Sequence, residues 1–199
     1  LHLELRTLLW QFLKLAFADS SLIGCDQFVY WDAANPRLCL APDAFVRRGG
    51  PDELFGSWKV WERGAPHVAI EIISDHDARD RNWAGKLQAY RQLGVRELVR
   101  FDPEAASGKL RVWDRIENDL TEREPSDAPM PSNVLPGFWL LRDDAQLGSI
   151  LRLSRAPAGR DLYLTPREAD AQRIAANAPS IEADAQRIRE LEAELARRR

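Results

Sequence analysis

Cysteine is nearly absent from this chain: Cys25 and Cys39 are its only two, and no Cys-x-x-Cys or Cys/His cluster accompanies them. That scarcity argues against a disulfide framework and a thiolate zinc site, and it points to a reducing compartment. No apolar run approaches the roughly 20 residues that cross a bilayer as a helix, and no segment of the signal-peptide kind opens the sequence. A surplus of positive charge is lacking too. Lys and Arg number 28 against 31 Asp and Glu, a formal net charge of −3. No global field therefore draws the protein to nucleic acid, and any such contact has to be local. The expectation is a cytoplasmic protein with no membrane partner. The chain opens on Leu1 rather than Met, which leaves room for residues upstream.

What is present suits one α/β domain with an appendage: 199 residues, 45% of them hydrophobic, and seven tryptophans. Leu5, Leu8, Leu9, Phe12, Leu13 and Ala16 recur at helical spacing and predict an amphipathic helix over 2–18. An extended segment is expected at 26–31, a turn at Asn35-Pro36, and a second extended run over 38–46 interrupted by Pro42-Asp43. The polar, glycine-bearing stretch 49–65, with Trp58 and Trp61 in it, reads as a long loop or flap. Beyond the strand centred on residue 70, Asp75-His76-Asp77 reads as a polar turn, followed by a helix over 79–93 that stops at Gly94. A strand over 97–101 is next, then an antiparallel pair at 110–113 and 120–123. Apolar runs at 138–141 and 147–153 and a short strand at 161–164 complete the domain.

The last thirty or so residues change character. Ile174, Ile181, Ile188, Leu191 and Leu195 recur at steps of seven, seven, three and four among Ala, Glu and Arg. This is a coiled-coil-like seam, weakened by Pro179 and by Asn177 and Asp184. A homodimerising helix and a frayed, solvated one are both open. The division expected is a domain at 1–166 and a helical tail at 167–199.

The chain is organised around Pro66-His67-Val68-Ala69-Ile70-Glu71-Ile72-Ile73-Ser74. Alternation sends Val68, Ile70 and Ile72 to one face of a sheet and Ala69, Glu71 and Ile73 to the other. Both faces are apolar, as a strand covered on both sides requires. Glu71 is the exception, since a buried carboxylate is costly unless paired or bound to a metal; a salt-bridged or solvated structural glutamate is the plain alternative. On the next helix, Trp83, Leu87, Tyr90 and Leu93 define the apolar stripe, and Lys86 falls inside it. Either its stem snorkels to the rim or its ammonium reaches back over the sheet towards Glu71. Asp43, after Pro42, supplies a second carboxylate. Two carboxylates and an amine at one sheet edge suit metal-assisted phosphodiester hydrolysis, because Mg²⁺ prefers hard carboxylate oxygens and keeps sites for water and phosphate. A nearby lysine orients water or steadies the charged transition state.

Several segments together resemble the Uma2 family within the PD-(D/E)XK nuclease superfamily. They are Ala41-Pro42-Asp43-Ala44-Phe45-Val46, the Pro66–Ser74 strand, Asp80, Lys86 through Tyr90, Leu93-Gly94-Val95-Arg96-Glu97, Phe101-Asp102-Pro103 and Leu135-Pro136-Gly137-Phe138. Their order and spacing carry the likeness, which also takes in the Arg/Glu-rich tail. The resemblance implies a mixed, twisted sheet with flanking helices in an α/β fold of the restriction-endonuclease type. It implies that Asp43 and Glu71 ligate the metal, with the Ile72 backbone carbonyl as a third donor. The superfamily's lysine usually stands two residues after the acid, where this chain has Ile73; in Uma2-like sequences a lysine on the following helix substitutes, and Lys86 occupies that place. The family's Ser-Pro-Ser/Thr turn is here Ser74-Asp75-His76-Asp77, a departure that bears on loop geometry and on activity. His76 is either a metal or phosphate contact or a solvated turn residue.

The function so implied is a Mg²⁺-dependent endonuclease acting on DNA, with Mn²⁺ as a substitute cation and Asp43, Glu71 and Lys86 as catalytic residues. Arg47, Arg48, Arg79 and Arg81 are the candidate DNA contacts. The rival is an inactive nuclease fold kept as a binding or assembly module through its tail; an RNA-directed enzyme is a weaker third.

Overall fold

Leu5, Leu9, Phe12, Leu13 and Phe17 are all buried on one stripe of helix α1, His2–Phe17, so the helix forms by laying that stripe on a sheet. In the computed structural model, which describes residues 1–73, 83–126 and 128–198, the chain divides into two compact units, Leu1–Tyr163 and Leu164–Arg199. The expected turn at 75–77, with His76, and the residues Arg79, Asp80 and Arg81 lie outside the described residues.

In the first unit, β1 (Ser21–Gly24), β2 (Val29–Tyr30), β3 (Cys39–Leu40), β4 (Ala44–Arg48) and β5 (Trp58–Lys59) are followed by a one-turn helix α2, Val60–Arg63. Then come β6 (Val68–Ile72), helix α3 (Trp83–Leu93) and β7 (Glu97–Phe101). After them run β8 (Leu110–Ile116), β9 (Asp119–Glu122), β10 (Met130–Pro131), β11 (Phe138–Asp144) and β12 (Gly148–Ser154). The main sheet has six strands in the order β1-β4-β6-β7-β8-β9, and two three-stranded sheets accompany it. Only β6 and β7 pair parallel within the main sheet; β1–β4, β4–β6, β7–β8 and β8–β9 are antiparallel. The result is the mixed sheet with flanking helices that the resemblance implies.

The alternation expected of the central strand is present. Val68, Ile70 and Ile72 pack with α1 and with Leu151 and Leu153 of β12 in one core cluster. Ala69 packs on the opposite side with Phe45, Trp58, Tyr90 and Leu98. Both faces are covered, and every residue of β6 is buried.

Four features of the structure differ from the expectations. Strand β1 was not foreseen, because four residues directly after a helix offer too short a pattern to read. The extended segment at 26–31 shrinks to Val29–Tyr30; Asp26 before it takes a left-handed φ of 57°. The stretch 49–65 is not all loop. Its Trp58 is fully buried, edge-on to Phe45 and Phe55, and donates its indole N–H to the Gly64 carbonyl. A tryptophan anchored by long-range contacts gives β5 its order, which no local pattern reports. At the other end, 161–164 holds only an isolated bridge, Ser154 to Leu162, in place of a strand.

The second unit contains one long helix, α4, Pro166–Arg197. Thr165 caps it, accepting from the Glu168 amide while the Glu168 side chain returns to the Thr165 amide, and Pro166 starts it. None of its helical residues is buried. Ile174, Ile181, Ile188, Leu191 and Leu195 stand 44–67% exposed.

Candidate active site

The strand register brings the site together. In the β4–β6 pairing Ala44 faces Ile70, so one step further Asp43 and Glu71 stand opposite each other. Asp43 immediately precedes β4, and Glu71 lies near the end of the central strand. Both are buried, at 6% and 4% exposure.

Asp43 is fixed by the backbone it faces. Its Oδ2 accepts the Ile72 N–H at 2.7 Å. His2, from the first turn of α1, reaches the same point: its Nε2 lies 3.2 Å from Asp43 Oδ1, 3.3 Å from Oδ2 and 3.0 Å from the Ile72 carbonyl oxygen. A carbonyl oxygen only accepts, so Nε2 carries the proton in this arrangement. Arg6, one turn along the same helix, stands 3.9 Å from Asp43 Oδ1 and pairs with Asp26 at 2.8 Å. Burial pushes the Asp43 carboxyl above the usual carboxylate range, against the pull of the Ile72 amide, His2 and Arg6.

Glu71 is held by helix α3. Lys86 Nζ donates to Oε2 at 3.2 Å, and the Tyr90 hydroxyl donates to Oε1. Lys86 and Tyr90 are four residues apart and therefore share one helix face. The lysine thus turns inward from the apolar stripe instead of snorkelling away from Glu71. Burial raises the Glu71 carboxyl above its ordinary range; Lys86 and Tyr90 counter this, and the charge of Asp43 adds to it. Tyr90, fully buried against that carboxylate, is pushed well above a normal phenol and stays a proton donor.

Whether these groups suit a divalent cation rests on the donor set. Among the described residues no three His, Cys, Asp or Glu side chains gather into a metal cage. Mg²⁺ does not need one, since it binds through one or two carboxylates and keeps several waters. The Asp43 carboxylate and the Ile72 carbonyl converge on a point now filled by the His2 N–H, and Glu71 immediately precedes Ile72 in the strand. The Asp43 carboxylate and the Ile72 carbonyl are oxygen donors of the hard kind that Mg²⁺ takes.

His2 and Tyr90 were not singled out from sequence as site residues. Tyr90 carried a signal, lying one turn from Lys86 on the stripe that faces Glu71. His2 carried almost none, because its partner is 41 positions away. Conversely, Arg47 and Arg48 follow Asp43 in sequence but not in space. They end β4, roughly 13 and 16 Å along the strand from Asp43 at about 3.3 Å per residue, and lie at the opposite end of the sheet.

A second buried carboxylate shows what a purely structural one looks like. Glu97 is fully buried and accepts from Ser132 Oγ, the Asn133 amide and Trp139 Nε1, each at 2.7 Å, and from Arg123 Nη2 at 3.2 Å. Its hydrogen-bonding capacity is filled by groups that hold β10 and β11 against the main sheet. Glu71 instead keeps a lysine that is one-third exposed as its ionic partner, beside a second carboxylate.

No curated protein matches the sequence. Among solved structures the chain is similar to one described as a "putative nuclease belonging to DUF820" from Anabaena variabilis, at 13% identity and a TM-score of 0.44, over 66% of this chain and 71% of that one. A family model, Uma2, described as "Putative restriction endonuclease", matches residues 1–144. A match over that share of the sequence decides the family: the chain belongs to Uma2.

Proposed function

We propose that the protein is a Mg²⁺-dependent endonuclease that hydrolyses phosphodiester bonds in DNA. The observation that carries this is the Glu71–Lys86 contact at 3.2 Å, beside an Asp43 carboxylate tied to the Ile72 amide at 2.7 Å. Membership of a family described as restriction endonuclease supports the same substrate.

Asp43, Glu71 and the Ile72 carbonyl would hold the cation, with His2 at the point where Asp43 and the Ile72 carbonyl converge. When bound, the cation supplies Lewis-acid stabilisation of the charge that develops on the phosphate. The chain's own groups do the rest. Tyr90 fixes one Glu71 oxygen and so orients the other towards Lys86. Lys86, in hydrogen-bond reach of that oxygen, positions a water for attack and offers positive charge to the phosphoryl oxygens as they gain electron density. The sheet beneath, buried on both faces, keeps these groups from relaxing away from each other.

A second reading is favoured by one feature, the exposed Ile and Leu seam of α4. In it the fold is a binding or assembly module, with α4 pairing with a second copy. Supercoiled plasmid separates the two. The purified protein should nick or linearise it with Mg²⁺ or Mn²⁺ and not with excess chelator, and Glu71→Ala should lose that activity while staying folded. Equal faint cleavage by wild type and Glu71→Ala would remove the enzyme reading in favour of the module.

A further inference from the structure

At the end of the main sheet away from Asp43 and Glu71 lies a second assembly of charged groups. The C-terminal end of β4, the N-terminal ends of β6 and β7 and the far part of β8 meet there, because Val46 pairs with Val68, Val68 with Glu97, and Glu97 with Asp114. Between them opens a cleft of about 720 Å³ lined by Ser20, Arg48, His67, Arg96, Arg115 and Asn133, with Asp114 in its wall.

Three of the guanidiniums here are held in place without being neutralised. Arg47 donates to the Ala65 carbonyl at 2.7 Å, Arg48 to the Val134 carbonyl at 2.9 Å, and Arg115 to the Val95 and Arg91 carbonyls at 2.7 and 2.6 Å. Carbonyl groups fix the orientation of a guanidinium but leave its unit charge unpaired. Room for Arg47 is built into the backbone: Gly64 has φ of 73°, and a Cβ there would stand 2.6 Å from the guanidinium. Among the described residues no carboxylate lies within ion-pair distance of Arg47, Arg48, Arg96 or Arg115. The one acid in the wall, Asp114, is already taken by Arg123, with Nη2 2.6 Å from Oδ1, and by Asn133 at 2.9 Å. In a chain of net charge −3, four arginines gathered without counter-charge are a local reversal of sign, and Arg48 and Arg96 are exposed.

We propose that this cleft is an anion site for a phosphate group carrying two or more negative charges, separate from the Asp43–Glu71 end of the sheet. Guanidiniums match phosphate oxygens bidentately, and a cleft of about 720 Å³ has room for a diphosphate. Two sources share that chemistry, a free nucleoside phosphate and the phosphorylated end of a nucleic-acid strand.

His67 is a reporter inside the cleft. Its ring nitrogen lies 3.2 Å from Arg47, and burial together with Arg96, Arg47 and Arg48 lowers its pKa to about 4. A bound polyanion offsets that positive field, so the imidazole has to titrate at higher pH. The experiment is an NMR titration of the His67 ring signal, identified by its loss in His67→Gln, with pyrophosphate and with NaCl at matched ionic strength. The expected result is an upward shift of about one unit with pyrophosphate and little with NaCl. In Arg48→Gln/Arg96→Gln the pyrophosphate response should fall away, and Arg48→Lys/Arg96→Lys should keep part of it. An equal response to NaCl, no response in wild type, or a full response in the double Gln variant overturns the site; the wild-type result alone decides if the variants do not fold. Tighter binding of ADP than of pyrophosphate identifies a nucleotide as the ligand. Tighter binding of a 5′-phosphorylated oligonucleotide than of its 5′-hydroxyl form identifies a strand end, and neither gain leaves the diphosphate itself.

Discussion

Lys86 Nζ and Glu71 Oε2 stand 3.2 Å apart, one on a helix and the other at the end of the strand that precedes it. The lysine is one-third exposed and the glutamate almost fully enclosed, so the pair joins the interior of the sheet to solvent. Lys86→Met keeps the stem's packing and removes the charge. Plasmid cleavage should fall by about 10²–10³-fold, while Mn²⁺ affinity measured by calorimetry stays close to wild type, since an ammonium is no ligand. Loss of Mn²⁺ binding in Lys86→Met would mean that the lysine shapes the cation site instead of serving the reaction.

Glu71→Gln tests the energetics of the buried charge. Burial raises the folded-state pKa of Glu71, so its ionised form is a cost that is present in full above that pKa and is relieved as pH falls through it towards the unfolded value near 4.3. Gln retains an acceptor for Tyr90 and removes the cost. The apo variant should therefore melt higher than wild type at pH 8, and the gap should close as pH is lowered towards the unfolded value. A variant that melts lower than wild type at pH 8 would make Glu71 a net stabilising partner of Lys86. Glu97→Ala is the contrast. Stripping four hydrogen-bonded partners of their carboxylate should cost about 3–5 kcal/mol at a position that touches no catalytic group.

His2 meets Asp43 and the Ile72 carbonyl at one point. If it shares in holding the cation, His2→Ala should weaken Mn²⁺ binding by about 10–100-fold without lowering the melting temperature by more than a surface change does. Binding that is unchanged or tighter in the variant would make His2 a plug that the cation displaces.

Removal of residues 167–199 should move the melting temperature of the first unit by no more than about 2 °C, because no residue of α4 is buried. Any change in sedimentation or light scattering then reports on the Ile and Leu seam. A loss of mass from dimer to monomer supports pairing of two copies through α4, and a fall in melting temperature of many degrees would show that the tail stabilises the first unit.

The central strand, β7 and the β8–β9 hairpin were legible because alternation and bounding turn residues survive in them intact. Glu71 and Lys86 were legible for the opposite reason: each breaks the pattern of its own element, a charge in an apolar run and a charge in an apolar stripe. Asp43 gained meaning from its Pro-Asp setting and the family likeness. His2 was silent, since a polar residue in the first turn of an amphipathic helix breaks no rule. β1 and β5 depend on partners far along the chain, Arg48 through Phe45 for one and Val29 for the other, and such pairings leave little local trace. Arg47 and Arg48 misled by adjacency, because a strand carries consecutive residues away from a site as fast as a chain can.

That Asp43 and Glu71 stand opposite one another rests on the pairing of Ala44 with Ile70, and this has a consequence for sequence drift. A single-residue insertion or deletion between β4 and β6 that altered that pairing by one step would turn Glu71 to the other face of the sheet while leaving hydrogen-bonded strands behind. Point substitutions can erode such a site gradually, but an indel that slips the register disarms it in one event and spares the scaffold. Length changes in the 49–64 segment that β5 and Trp58 absorb should leave cleavage intact, whereas those within Ala65-Pro66-His67 should abolish it in a protein that still folds.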